Sequence, residues 1–211
     1  ITGGNRGLGK GLIANLVKSG HKSRVLMGCR DTNKGKEAAE GFKADNDSTK
    51  VDVVNIDIKE ASTFANLKKQ LDKNAKLSVL VNNAGVLYPG LKVEAAKARE
   101  MVNVNYFGTK SLVDFLLEND LFEDESKIIN MSTMVGNSAI FANDEIKQRA
   151  EQANTIDELD KLANDFVKAV ENGKNWFAKN AIHPNYNITK YIITKYTAIL
   201  AKDSRITDKS M

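Results

Sequence analysis

The sequence predicts an α/β fold in which a doubly wound parallel sheet lies between two layers of helices. Short apolar runs alternate with segments whose apolar residues recur at helical spacing, and this alternation continues from residue 1 to residue 133. Each predicted strand is a continuous apolar run, as in a sheet that is buried on both faces. Because such sheets bind ligands beyond the carboxyl ends of their strands, the residues after each strand are the candidates for a site.

The composition is typical of one globular domain spanning residues 1–211. Of these residues 42% are hydrophobic and 27% are charged, and the net charge is +4. Acidic and basic residues are interspersed, which argues against a nucleic-acid partner, and no apolar run approaches the roughly 18 residues of a membrane span. The single cysteine, Cys29, permits a reducing compartment, so a cytoplasmic location is expected. The chain starts inside a predicted strand at Ile1, which leads us to expect a truncated N-terminal strand.

The first element is a glycine turn that opens a helix. Residues 1–9 read Ile-Thr-Gly-Gly-Asn-Arg-Gly-Leu-Gly, and apolar residues recur at helical spacing from there to Ser19-Gly20. Such a turn lets the backbone approach a pyrophosphate, which the free N–H groups and positive end of the helix then stabilise. Glycines also make ordinary strand-to-helix corners, so the motif alone leaves both interpretations open. The candidate cofactor contacts are Gly3, Asn5, Arg6, Gly7, Leu8 and Gly9.

The predicted strand Arg24–Cys29 ends beside a residue that could select the cofactor. Arg30 lies 21 positions after Gly9 (30 − 9), where a dinucleotide-binding fold presents the group that contacts the adenosine ribose. A carboxylate there would accept a hydrogen bond from a ribose hydroxyl, whereas a guanidinium suits a 2′-phosphate. Arg30, with Arg6, therefore favours NADP(H). An ordinary surface arginine is the alternative, and the neighbouring Asp31 weakens the distinction.

The alternation continues through two more strands. Lys34–Ala44 is a predicted polar helix, Val51–Ile56 is a strand, a helical stripe of Phe64, Leu67 and Leu71 follows, and Leu77–Val81 is the next strand. The residues after these strands are Asp57-Ile58 and Asn82-Asn83-Ala84-Gly85. Asn side chains also satisfy backbone groups at strand ends, so the Asn pair alone is compatible with a plain turn.

The last predicted strand is followed by a helical insertion. The strand begins at Lys127 and ends in Ser132-Thr133, two hydroxyls that either serve a site or cap a turn. The insertion, at about residues 141–182, is rich in charge and contains a possible capping box, Thr155 with Glu158, ahead of a helical apolar stripe. Trp176 and Phe177 either line a pocket or, the commoner role of a lone aromatic pair, anchor the insertion.

The pattern Tyr-x-x-x-Lys occurs twice in succession, as Tyr186/Lys190 and Tyr191/Lys195. On a helix, residues four apart share a face, so each lysine ammonium can lie beside the tyrosine hydroxyl and favour its phenolate. Pro184 suits the first turn of that helix. The two copies point about 140° apart, so at most one faces any given pocket. Helical geometry alone does not choose between them.

In their order and spacing, these motifs resemble the short-chain dehydrogenase/reductase family over nearly the whole chain. The resemblance implies a Rossmann-like fold, NADP(H) as cofactor, and reduction of a small carbonyl compound with tyrosine as the proton donor. The insertion is similar to that of NADPH-dependent carbonyl reductases and implies a monomer. The residues that carry the resemblance are Thr2–Gly9, Gly28–Asp31, Asn82–Gly85, Val104–Thr109, Ser132-Thr133 and the Tyr-x-x-x-Lys pattern.

The resemblance also implies a role for each site residue. Asp57 and Ile58 would contact the adenine, and Asn83, Ala84 and Gly85 would form a loop beside the cofactor ribose. Val104 would also contact the cofactor, and Asn105 would hold a water behind the lysine. The hydroxyl that steadies the substrate carbonyl falls on Thr133, where serine is usual, with Ser132 as the alternative. Tyr186 would donate the proton, and Lys190 would assist it and bind the cofactor ribose. Tyr191, in the second copy of the pattern, is then expected to lie on the helix surface and not to act as the proton donor.

The C-terminal residues leave a second function class open. After Lys202 the sequence is polar and no further strand is predicted, although the family continues with more strands and a lid, so we expect truncated C-terminal strands. A protein without them would expose a sheet edge and enclose its cofactor poorly. The alternatives are an inactive, nucleotide-binding structural or regulatory subunit, and a lipid- or retinoid-directed reductase on a membrane. No metal site is predicted.

Overall fold

The protein is described by a computed structural model over residues 1–42, 48–72, 74–89, 94–177 and 183–207. The chain divides into two compact units, Ile1–Gly85 with Gly108–Ile129, and Val86–Phe107 with Asn130–Met211. The single NADP-binding domain expected over 1–211 stays a prediction. The strands are β1 (Ser23–Cys29), β2 (Thr49–Asn55), β3 (Leu77–Asn82) and β4 (Phe122–Asn130). The helices are α1 (Gly7–Lys18), α2 (Thr32–Glu40), α3 (Ala65–Gln70), α4 (Ala95–Val102), α5 (Thr109–Glu118), α6 (Asp144–Gln152), α7 (Ile156–Glu171), α8 (Pro184–Leu200) and α9 (Ser204–Thr207).

The first unit contains the strands in a doubly wound order. β1 and β2 are parallel and in register from Ser23 opposite Thr49 to Cys29 opposite Asn55, and β3 pairs with β4. The first two residues lie between these pairs, because Gly28 N–H donates to Ile1 O at 2.9 Å and Thr2 N–H donates to Val81 O at 3.0 Å. The strand order therefore reverses at residues 1–2, the position at which such folds bind ligands. This arrangement confirms the predicted Rossmann-like fold.

α1 is held on the sheet by its apolar face. Ile13 and Val17 lie one turn apart and are fully buried, in one cluster with Val25 and Met27 of β1. Burial of each such side chain contributes roughly 1.5–3 kcal/mol. The helix is thereby fixed with its N-terminus next to the carboxyl end of β1.

Several predicted element boundaries are wrong, and those of one helix and one strand differ most. The helix predicted over Lys34–Ala44 begins at Thr32, because the Asp31 carboxylate accepts the N–H groups of Asn33 and Lys34 and caps it, and it ends at Glu40. Residues 43–47 lie outside the described residues. The strand predicted from Lys127 begins at Phe122, and its charged first half hides it from an apolar-run search because most of those side chains are exposed.

The second unit is mainly helical, with α4, α7 and α8 packed on one another. α7 begins at the predicted capping box, in which Thr155 and Glu158 each bond the backbone of the other. Trp176 and Phe177 are buried, with ring centroids 5.9 Å and 5.7 Å from that of Phe166 on α7. The aromatic pair therefore anchors the inserted segment to α7. Residues 178–182, the end of the predicted insertion, lie outside the described residues.

α4 is continued by an irregular turn. Asn103–Gly108 forms a π-helical segment that contains Asn105. Such segments are rare and often occur at functional sites. In the described part of the chain, no helix combines the length and apolar character needed to span a bilayer.

Candidate active site

The glycine turn leaves the start of α1 without a side-chain cap. Gly7 has φ +54°, in the left-handed region that favours glycine, and the preceding Arg6 makes no capping hydrogen bond. The N–H groups of a first helical turn have no partner within their own helix, and together with the helix dipole they bind anions. Leu8 is 77% exposed beside this turn, and Asn5 is half-buried.

Gly9 and Asn83 hold the glycine turn against the end of β3. A Cβ at Gly9 would lie 2.5 Å from both Asn83 Nδ2 and Gly3 O, so no larger residue fits. Asn83 Nδ2 donates to Thr2 O at 2.9 Å, and Thr2 Oγ1 accepts the N–H groups of Asn83 and Ala84, each at 3.0 Å. Asn83 thus has a structural role in this turn. The sequence assigned no role to Thr2, although it precedes the glycine pair.

Arg6 and Arg30 differ from Asp31 in the hydrogen bonds that their side chains make. Arg30 and Arg6 are exposed, and neither guanidinium has a hydrogen bond or ion pair within the described ranges. The Asp31 carboxylate, by contrast, accepts from the N–H groups of Asn33 and Lys34 at 3.0 Å and 3.1 Å. Asp31, whose position next to Arg30 weakened the prediction of NADP(H), therefore caps α2. Gly4 N–H donates to Gly28 O at 3.1 Å, which joins the segments that lead to the two arginines.

The residues after β2 form a tight local turn. Asp57 Oδ1 accepts from Lys59 N–H at 3.0 Å, and Asp57 N–H donates to Thr63 Oγ1 at 3.0 Å. Ile58 is buried. After β3, Ala84 is half-buried and Gly85 is exposed.

Asn105 joins two segments of the second unit by hydrogen bonds. Its side chain is 2% exposed, its Oδ1 accepts from Val86 N–H at 2.8 Å, and its Nδ2 donates to Val86 O and to Thr189 Oγ1, each at 3.0 Å. Both N–H groups of the Asn105 side-chain amide therefore donate within the protein. The contact with water that the resemblance implies would have to use an acceptor atom of Asn105. Val104, next to it, is buried.

Lys190 lies over the ring of Tyr186. Its Nζ is 5.5 Å from the ring centroid and donates to Met131 O at 2.5 Å. Burial lowers the pKa of Lys190 to about 8. Tyr186 is half-buried, and its hydroxyl has no partner in the part of the chain that the structure describes.

The predicted effect of the lysine on the tyrosine is outweighed in this structure. Burial raises the pKa of Tyr186, because the charged phenolate is poorly solvated there. The ammonium lies over the ring face and is bonded to a backbone carbonyl, so it does not offset that burial. Tyr186 is consequently held in its protonated form.

The second Tyr-x-x-x-Lys copy is structural, and its predicted place on the helix surface is wrong. Tyr191 is buried, with its ring edge-on to Phe141 at a centroid distance of 5.4 Å. Burial, with a smaller contribution from Glu151, raises the pKa of Tyr191 to about 12. Lys195 Nζ donates to Glu151 O at 2.8 Å, near the end of α6. This pair therefore ties the inserted segment to α8.

The two hydroxyls after β4 differ in what they contact. Ser132 Oγ lies 3.0 Å from Lys190 O and 2.7 Å from Thr194 Oγ1. Thr133 is half-buried, and its hydroxyl has no partner within the described residues. The preference for Thr133 over Ser132 as the hydroxyl that contacts a ligand stays a prediction.

The loop that carries Thr133 packs directly on α8. A Cβ at Gly136 would lie 2.9 Å from Lys190 C and 3.0 Å from Tyr191 N, and Gly136 N–H donates to Thr133 O at 3.0 Å. Within the second unit, the loop of Thr133 and the side chain of Asn105 thus contact the first half of α8, which carries Tyr186 and Lys190. Sequence analysis assigned no role to Gly136, Thr189 or Thr194. Thr189 and Thr194 each directly precede the lysine of a Tyr-x-x-x-Lys copy, a signal that could have pointed to them, whereas Gly136 had none.

Comparisons with known proteins agree on one family. Residues 1–144 match the sequence model of a family described as short chain dehydrogenase. The chain is 27% identical over 231 residues to (+)-neomenthol dehydrogenase from Arabidopsis thaliana, covering 96% of this chain and 76% of that protein. It is also 27% identical over 246 residues to salutaridine reductase from Papaver bracteatum, with the same coverage of 96% and 76%.

A solved structure shares the fold. Salutaridine reductase from Papaver somniferum superposes with a TM-score of 0.82 at 24% identity, covering 97% of this chain and 81% of that one. At that identity the likeness establishes the α/β fold and leaves the substrate to be argued from the residues.

Proposed function

This chain belongs to the short-chain dehydrogenase family of oxidoreductases, and we propose that it reduces the carbonyl groups of aldehydes, ketones or quinones with NADPH. The observation that carries the proposal is the pair Tyr186/Lys190 on α8, with the free hydroxyl of Thr133 on the loop that packs against Lys190. A carbonyl oxygen takes up one proton as it becomes an alcohol, which a protonated tyrosine can supply, and a free hydroxyl can stabilise the developing negative charge on that oxygen with a hydrogen bond. Two relatives named a dehydrogenase and a reductase are consistent with this chemistry.

NADP(H) fits the residues at the carboxyl ends of the strands. The uncapped start of α1, at Gly7, Leu8 and Gly9, would hold the pyrophosphate, and Arg30 with Arg6 would bind the 2′-phosphate. Two guanidinium groups without protein partners in the described residues support a phosphate, since the nearby Asp31 carboxylate is already used as a cap. The remaining proposed contacts are Gly3, Asn5, Asp57, Ile58, Asn83, Ala84, Gly85, Val104, Tyr186 and Lys190.

When bound, NADPH supplies the hydride that the carbonyl carbon accepts. The residues of this chain act on the oxygen. The Thr133 hydroxyl donates a hydrogen bond to it, and the Tyr186 hydroxyl transfers its proton to it. Lys190 alone does not offset the burial of Tyr186, so it would stabilise the remaining tyrosinate together with the positive charge of the oxidised nicotinamide. Asn105 holds the water through which the proton is replaced.

The threonine at position 133 is compatible with this role. Its hydroxyl makes the same hydrogen bond as a serine, while its methyl group restricts the side chain and narrows the pocket. We therefore expect Thr133→Ser to retain turnover and to accept bulkier ketones.

The proposal is tested with purified full-length protein. Oxidation of NADPH and of NADH is followed with a quinone, an aliphatic ketone and an aromatic aldehyde, and binding of both cofactors is measured separately. We expect turnover with at least one compound, and a preference for NADPH of about tenfold or more, equivalent to about 1.4 kcal/mol. In Arg30→Ala that preference should fall, whereas Arg24→Ala, whose guanidinium is paired with Asp52, serves as the control.

Binding of NADPH without turnover of any compound would overturn the enzymatic proposal. That result would support the inactive, nucleotide-binding subunit instead. A monomeric state and a cytoplasmic location, both implied by the resemblance and composition, belong to the same proposal.

A further inference from the structure

Three threonines of α8 make the same kind of double contact. Each hydroxyl lies within hydrogen-bonding distance of a backbone carbonyl of its own helix and of one side chain from another segment. Thr189 Oγ1 donates to Tyr186 O at 2.7 Å, Thr194 Oγ1 donates to Lys190 O at 2.9 Å, and Thr197 Oγ1 donates to Ile193 O at 2.8 Å. The three outside partners are different residues, so each threonine joins a different segment to the helix.

Thr189 connects Asn105 to the backbone of Tyr186. Its side chain is fully buried, and its oxygen accepts from Asn105 Nδ2 at 3.0 Å while its proton goes to Tyr186 O. Asn105 is itself held at both the N–H and the C=O of Val86. The position of Tyr186 along the helix is therefore tied, through one hydroxyl, to the π-helical segment.

Thr194 connects Lys190 to the loop that carries Thr133. Its hydroxyl, the Ser132 hydroxyl and Lys190 O form a cluster, with the two hydroxyls 2.7 Å apart and Ser132 Oγ 3.0 Å from Lys190 O. Lys190 Nζ donates to Met131 O of the same loop. Since Thr133 directly follows Ser132, this cluster sets the distance between the Thr133 hydroxyl and α8.

Thr197 makes equivalent bonds away from the reacting groups. Its oxygen accepts from Asn130 Nδ2 at 2.9 Å, and its proton goes to Ile193 O. None of its contacts involves Tyr186, Lys190 or Thr133. The helix thus contains an internal control with the same chemistry.

We propose that Thr189 and Thr194 are positioning residues for carbonyl reduction, and that Thr197 serves stability alone. The inference rests on the proposed function. Thr189 holds the proton donor Tyr186, and Thr194 holds Lys190 together with the Thr133 loop. Reacting groups must keep their distances closely, because a misplacement of about 1 Å can lower a rate by roughly a hundredfold.

The test compares Thr→Val and Thr→Ser at all three positions in the full chain. Valine keeps the shape and removes the hydroxyl, while serine keeps the hydroxyl. We expect Thr189→Val and Thr194→Val to lower kcat by about 10- to 100-fold, with the Kd for NADPH changed by about twofold at most, and the serine variants to recover most of kcat. Thr197→Val should lower the melting temperature to a similar extent yet keep kcat within about twofold.

Two results would overturn the inference. One is a kcat within about twofold of wild type in both Thr189→Val and Thr194→Val, and the other is an equal loss in Thr197→Val. Either would mean that the hydroxyls act only through general stability.

A second measurement keeps this test separate from that of the proposed function. In protein with ¹³C-labelled tyrosine rings, the Tyr186 signal is identified by its loss in Tyr186→Phe. We expect Thr189→Val to shift or broaden that signal and Thr197→Val to leave it unchanged. If wild type reduces no carbonyl compound, the proposed function fails, and an unchanged Tyr186 signal in Thr189→Val would still overturn the positioning role.

Discussion

Two tyrosines five positions apart on α8 have opposite surroundings. Tyr186 is half-buried beside Lys190, and its hydroxyl has no partner in the described ranges, whereas Tyr191 is packed edge-on against Phe141. A tyrosine hydroxyl without a protein partner can exchange a proton with a ligand. A buried phenol in an aromatic contact contributes packing instead.

Replacing Tyr186 with Phe should abolish turnover while NADPH binding stays nearly intact. The expected loss in kcat is about 10²- to 10⁴-fold, the usual contribution of a positioned acid. Tyr191→Phe is the matched control, since it removes the same hydroxyl but keeps the ring, and it should stay within about threefold of wild type. An inactive Tyr191→Phe beside an active Tyr186→Phe would reverse the assignment.

Lys190 should make the stability of the protein depend on pH. Burial lowers its pKa to about 8, below the 10.5 of the exposed side chain, so between these values the unfolded chain binds more protons than the folded one. Stability therefore rises with pH across that window, and below about pH 8 the buried charge costs up to about 3 kcal/mol.

Comparison with Lys190→Met isolates this effect. The free energy of unfolding of both proteins is measured by urea denaturation at several pH values between 7 and 10.5. As pH rises from about 8 to 10.5, the free energy of unfolding of wild type should increase relative to that of Lys190→Met. A difference that stays constant with pH would contradict the lowered pKa.

At the scale of elements, the decisive contact is between the loop after β4 and α8. Gly136 lies so close to Lys190 and Tyr191 that a methyl group would overlap their backbone atoms. The contact holds the Thr133 loop on the helix that carries the proton donor. A substitution there should therefore affect stability and turnover together.

Gly136→Ala should lower the free energy of unfolding by about 1–3 kcal/mol, as overpacking usually does, and should lower kcat. Gly11→Ala is the matched control, because a Cβ within α1 at that position meets nothing within 4 Å. The control should raise stability by up to about 1 kcal/mol, since alanine favours helix over glycine. A Gly136→Ala variant as stable as wild type would show that the loop can move away at little cost.

For the whole molecule, the monomer remains a proposal, with which the buried face of α7 is consistent. Its apolar residues, including Leu159, Leu162 and Phe166, are buried within the second unit, which leaves the charged residues outward. A helix whose apolar stripe is already covered offers little surface for a second copy. Light scattering coupled to gel filtration should give the mass of one chain over a wide range of protein concentration. A concentration-independent dimer would be inconsistent with this expectation.

The sequence by itself determined the fold class, the order of the site motifs and several local devices. Strand alternation, the capping box of Thr155 with Glu158 and Pro184 at the start of α8 are set by residues a few positions apart, so they follow from periodicity and backbone chemistry. The family resemblance extended this to most of the proposed site residues.

Only the tertiary structure decided which side chains remain available. Ser132 and Lys190 are 58 positions apart, yet their contact leaves Thr133 as the hydroxyl without a partner in the described residues. The role of Asp31 as the cap of α2 could have been predicted from the residues next to it. The burial of Tyr191 against Phe141 and the requirement for glycine at position 136 could not be predicted from the sequence. Such contacts join segments distant in the chain, and neither spacing nor propensity encodes which surfaces meet.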